Sequence, residues 1–77
     1  MIKAYKYTGD MEGISIGGMR VLMCLEGDEK EVREVAKKFN EIFTPCGYEE
    51  SNNPGELTIY YTPFKKYEAE FIKAAKI

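Results

Sequence analysis

Two cysteines, Cys24 and Cys46, are the only thiols in this chain, and it has no histidine to serve as their base or as a metal ligand. Cys46 lies in TPCGY, between Pro45 and Gly47, just after a stretch with helical spacing. A working thiol needs its pKa lowered by a helix N-terminus, a cation or a metal. Cys46 instead follows a helix C-terminus, where unpaired carbonyls disfavour a thiolate. Lys37 and Lys38 oppose that effect, but Glu49 and Glu50 follow closely. The residues favour Cys46 as a small packed side chain, with a thiol-dependent redox or carrier role as the alternative.

An internal disulfide fails on length. A helix over Glu29 to Phe43 carries the chain about 22 Å back along a sheet, while Cys24 sits about 7 Å from the end of its strand. The resulting separation of roughly 15 Å exceeds the ~7 Å between Cα atoms that a disulfide tolerates. Other polar groupings are weaker still. GISIGG offers glycines for a backbone anion nest, but it matches neither the dinucleotide nor the phosphate-loop pattern. Asp10 with Glu12, and Glu49 and Glu50 with Asn52 and Asn53, lack the regular oxygen spacing of a calcium loop. No catalytic residue, metal ligand or cofactor is expected.

The tyrosines make a different kind of site, and the strands decide where they point. Ile2 to Thr8 alternates, with Lys3, Tyr5 and Tyr7 on one side and Ile2, Ala4 and Lys6 on the other. After the glycine-rich connection GDMEGISIGG, Met19 to Glu26 reads as the second strand. Its odd positions, Met19, Val21, Met23 and Leu25, form a wholly apolar face directed to the core. Asp28 and Glu31 form a helix start, and Val32, Val35, Ala36, Phe39, Ile42 and Phe43 recur every three or four residues. Glu29 with Arg33 and Glu34 with Lys38 are spaced to pair on the outer face.

Pro45 ends this helix at Thr44. EESNNPG then reads as turn and loop, and Glu56 to Thr62 as the third strand. Thr62 and Pro63 are placed to start a second helix, with Phe64, Tyr67, Phe71, Ile72 and Ala75 on its apolar side. Lys65, Lys66, Lys73 and Lys76 are interleaved with Glu68 and Glu70, which reads as a solvated surface.

The expected architecture is a single small α+β domain over residues 1–77, in the order strand, strand, helix, strand, helix. A crossover would make the second and third strands parallel, with the first between them and antiparallel to both. That gives a three-stranded mixed sheet with both helices on one face, an order that resembles half of a ferredoxin-like plait. Fold resemblance of this kind carries no function.

The other face of the sheet would then be open. It presents Leu22, Cys24 and Tyr60, with either Tyr5 and Tyr7 or Ile2 and Ala4 from the first strand, since both parities of that strand carry apolar groups. The expected use is a noncatalytic binding or assembly module in which this face pairs with a second copy, forming a homo-oligomer such as a dimer. A protein partner or a small apolar ligand are other occupants. A single-stranded nucleic-acid binder, stacking bases on the tyrosines beside Lys3 and Lys6, is a further alternative. The net charge of −2 and the pI of about 5.1 speak against nucleic acid, as do the missing RNP1 and GxxG patterns.

Composition bounds the rest. With 77 residues, 44% hydrophobic and 31% charged, the chain has enough apolar surface to fold but only one modest core. Eleven Glu and nine Lys, with no Trp, resemble heat-adapted surface chemistry. No apolar run nears the ~18 residues of a membrane span, and MIKAYKYTGD has no apolar core of a leader. A cytoplasmic location is the expectation, without membrane association.

Overall fold

Alternating side chains in Ile2–Lys6 and Glu56–Tyr61, and the helical repeat of Val32, Val35 and Phe39, determine most of the architecture. The computed structural model describes residues 2–8, 18–42, 48–51 and 53–75. Several readings made from the sequence lie outside these residues: Asp10, Glu12 and most of GISIGG, the helix end from Phe43 to Pro45, Cys46, Asn52, and the last two residues. In chain order the elements are β1 (Ile2–Lys6), β2 (Met23–Asp28), α1 (Glu29–Ile42), β3 (Tyr48–Glu50), β4 (Glu56–Tyr61) and α2 (Glu68–Ala75), the last preceded by a 3-10 turn over Lys65–Tyr67.

The sheet has four strands in the order β1, β2, β4, β3, and every neighbouring pair is antiparallel. This corrects the expected three-stranded mixed sheet. The chain does cross over through α1, but it arrives on β3, which overlaps the start of the segment read as turn and loop. β4 then folds back by a hairpin and occupies the slot between β2 and β3, so β2 meets β4 antiparallel. Asn53, Pro54 and Gly55 make that hairpin: Glu56 N–H donates to the Asn53 carbonyl at 3.1 Å, and Gly55 adopts φ +83°. Proline followed by a left-handed glycine is the signature of a type II turn.

One apolar cluster fills the space between the sheet and both helices. Met23 and Leu25 from β2 and Leu57, Ile59 and Tyr61 from β4 meet Val32, Val35 and Phe39 of α1 and Phe71 and Ala75 of α2. The Phe39, Tyr61 and Phe71 rings contact one another with centroids 4.5–5.6 Å apart. Ile2 and Ala4 pack against the same cluster, which settles the parity of the first strand. α1 begins as expected, with Glu31 N–H donating to Asp28 Oδ2 at 3.4 Å, and Arg33 pairs with Glu29 at 3.5 Å.

The element ends differ from the sequence reading, most of all before β2, at the end of α1 and before α2. Met19 is 76% exposed and leaves the core face, because the chain turns at Gly18 and Met19 before β2 begins. Ile42, at the end of α1, is likewise exposed. Pro63 does not start a helix. Val21 N–H donates to the Pro63 carbonyl at 3.1 Å, Lys65 N–H donates to the Met19 carbonyl at 2.8 Å, and Arg20 bridges Phe64. These bonds keep the chain extended through Phe64, so helical geometry starts only at Lys65. Among the described residues, no helix is long and apolar enough to cross a membrane.

Candidate sheet-face interface

The face opposite the helices is assembled row by row from the strand register. Tyr5 pairs with Cys24, Cys24 with Tyr60, and Tyr60 with Tyr48, so these four residues form one row across all four strands. Directly opposed residues in antiparallel strands share a face. Two residues along, the next row is Lys3, Glu26, Thr58 and Glu50. On the other side, Tyr7 N–H donates to the Leu22 carbonyl at 2.8 Å, which extends the β1–β2 ladder and puts Tyr7 and Leu22 in a third row.

The rings contact one another across the strands. The Tyr7 and Tyr60 rings meet edge to face at 5.3 Å, and Tyr48 and Tyr60 lie tilted at 6.4 Å. Within the chain itself, Leu22 is only 5% exposed and Cys24 is 0% exposed. These two were expected as surface groups of the open face; the structure makes them its floor. Tyr48 is 56% exposed, Tyr5 borders on exposed, and Tyr7 and Tyr60 are half-buried. The outer surface of this face is therefore tyrosine, with small or aliphatic groups beneath.

Burial pushes the Cys24 thiol above its ordinary pKa, Glu26 adds to the shift, and the Tyr5 hydroxyl partly opposes it. A protonated, fully buried thiol is a poor nucleophile. The same hydrogen bond with Cys24, with burial second, holds the Tyr5 phenol far above its usual range. The Tyr60 phenol is raised chiefly by burial, then by the acidic groups near it, among them Cys24 and Glu50.

Strand alternation separates charges that lie close together in the sequence. Lys6 lies on the helix side, 3.7 Å from Glu68, and does not flank the tyrosines with Lys3. Glu49 also points to the helix side, 3.5 Å from Arg33, whereas Glu50 stays on the tyrosine face. Asn53 donates to Glu56 at 3.2 Å. Glu49, Glu50 and Asn53 therefore stand apart, and the described residues hold no cluster of three or more metal-ligating side chains.

Tyr48 escaped the sequence reading because Tyr48–Glu50 is too short to show periodicity. The available signal was the turn: Asn53-Pro54-Gly55 ahead of an alternating strand calls for a hairpin partner on its other side. A second apolar surface lies at the end of the sheet, a concavity of about 530 Å³ lined by Gly18, Met19, Phe64, Lys65 and Lys66, with the Arg20 guanidinium 4.4 Å from the Phe64 ring centre. It shares no residue with the tyrosine face. No family model matches this chain, and no curated protein or solved structure matches it either.

Proposed function

We propose that this chain is a noncatalytic assembly module that pairs with a second copy of itself through the tyrosine face of its sheet. The observation that carries the reading is the row Tyr5, Cys24, Tyr60 and Tyr48, bordered by Tyr7, with both helices committed to the opposite side. Tyrosines supply large contact area at low conformational-entropy cost and dominate binding energy at many interfaces. The ten described positions of this face, on strands ~4.8 Å apart and in rows ~7 Å apart, cover roughly 340 Å². That is less than half the area each partner contributes to a standard interface, so the association falls in the micromolar range or weaker.

Charge argues against the nucleic-acid alternative. With Lys6 turned away, the tyrosine face carries Lys3 against Glu26 and Glu50, a balance that repels phosphate. The thiol alternative rested on Cys46, which lies outside the described residues, and the buried Cys24 adds nothing to it. Backbone amide NMR over a dilution series tests the proposal. Shifts should move with concentration at Lys3, Tyr5, Tyr7, Tyr48 and Tyr60 while α1 stays still. A spectrum independent of concentration, or changes centred on α1, contradicts it. A titration with an unstructured oligonucleotide at low salt should leave the same resonances unmoved.

A further inference from the structure

We infer that the two copies pack face to face about a two-fold axis parallel to the strands, so that Lys3 of each chain meets Glu50 of the other. This rests on the self-association proposed above and specifies its geometry. β1 and β3 are the two edges of the sheet, and Lys3 and Glu50 stand at opposite ends of one cross-strand row, both exposed. The row runs from a basic edge to an acidic edge. A two-fold axis lying between the copies, along the strands and between β2 and β4, reverses the strand order. The β1 edge of one copy then covers the β3 edge of the other, and the two ends of the row become complementary twice over.

The same operation orders the other contacts. Tyr5 falls over Tyr48 of the second copy, and Tyr60 over the low point of the face above the buried Cys24. Glu26 falls over Thr58, which avoids placing acid on acid. An axis across the strands does worse where it passes through either of the two rows that span all four strands. Passing through the Lys3 row, it sets Lys3, Glu26 and Glu50 against their own copies. Passing through the tyrosine row, it presses Glu26 onto Leu22. Like charges placed opposite each other select against the wrong partner geometry. Aligned sheets pack at about 30°, which displaces an edge ~7 Å from the axis by ~4 Å, within the reach of lysine and glutamate side chains.

Charge reversal tests this. K3E and E50K should each weaken self-association, because each variant sets like charges together at both edges of its own dimer. Mixed together, the K3E chain presents acid at both edges and the E50K chain base at both, so the two attractive contacts return between unlike chains. The mixed dimer should form at least about tenfold more tightly than either variant with itself, with the preference shrinking at high salt. A local effect within the chain, such as K3E acting on the neighbouring Glu26, is not rescued by a partner, so preference for the mixed pair is specific to the contact between copies. If the unmodified chain dimerises through its tyrosines but K3E and E50K show no preference for each other, this axis is wrong and the self-association stands. If the unmodified chain does not associate at all, both fall together.

Discussion

Replacing Tyr48 by glutamate should separate the copies while leaving each chain folded. Tyr48 is 56% exposed and lies in the edge strand β3, so a carboxylate there remains in water in the single chain. A tyrosine carries about 200 Å² of surface, so roughly 110 Å² of this ring is free to be covered by a partner. At ~25 cal/mol/Å² that is worth about 2.8 kcal/mol per copy. Association converts only part of such area into affinity. Half of it, counted for both copies, still gives about 3 kcal/mol, or a dissociation constant raised more than about 100-fold. Among the described residues, the folded chain loses the ring contact with Tyr60, about 0.5–1.5 kcal/mol. Sedimentation velocity across a concentration series, with circular dichroism as the folding control, measures both. A Tyr48→Glu chain that is folded and assembles with unchanged affinity would falsify the assignment of this face. Leu22→Glu is the wrong probe, because Leu22 is buried within the chain and a charge there unfolds it.

Three further outcomes concern the scaffold. Burial, with Glu49 second, pushes the Tyr61 phenol from 10.0 to about 12. The unfolded chain therefore loses this proton first, so the contribution is fully present below pH 10 and falls away by about pH 12, up to about 2.7 kcal/mol. Denaturant titrations at pH 9 and pH 11.5 should show a smaller loss of stability in Tyr61→Phe than in the unmodified chain; equal losses would remove Tyr61 as a source. Phe39→Ala deletes the ring shared by Tyr61 and Phe71 and costs about 3–5 kcal/mol, comparable with all that a core of this size supplies. Its thermal melt should lack a cooperative transition, and a retained sharp transition would show that the ring cluster is not the centre of the core. Gly55→Ala should lower stability by roughly 1–2 kcal/mol through its left-handed φ alone, because a Cβ there meets nothing within 4 Å. An unchanged melting temperature would mean that the turn opens instead.

Elements with strong local signals were legible in the sequence. α1 declared itself through Asp28 and the spacing of Val32, Val35 and Phe39, and β4 through its alternation of Leu57, Ile59 and Tyr61. The sheet order was not legible, because it depends on β3, whose three residues carry no periodic pattern. Missing that strand directed the crossover to β4 and made an antiparallel pair look parallel. The start of α2 was misplaced because the pairing of Arg20 with Phe64 spans 44 positions and overrides the local preference of Pro63 for a helix start. The candidate site was half legible. Tyr5, Tyr7, Cys24 and Tyr60 could be named, but only the packing of Ile2 and Ala4 against the core fixes which way β1 faces. Tyr48 and the charged row emerge only from the register.

Two copies that meet through the tyrosine face double the mass in solution as concentration rises. Light scattering coupled to size-exclusion chromatography should give a mass near 8.8 kDa at high dilution, rising toward twice that value through the micromolar to millimolar range. A mass that stays at 8.8 kDa up to the highest concentrations reached would mean that the tyrosine face does not pair with its own kind.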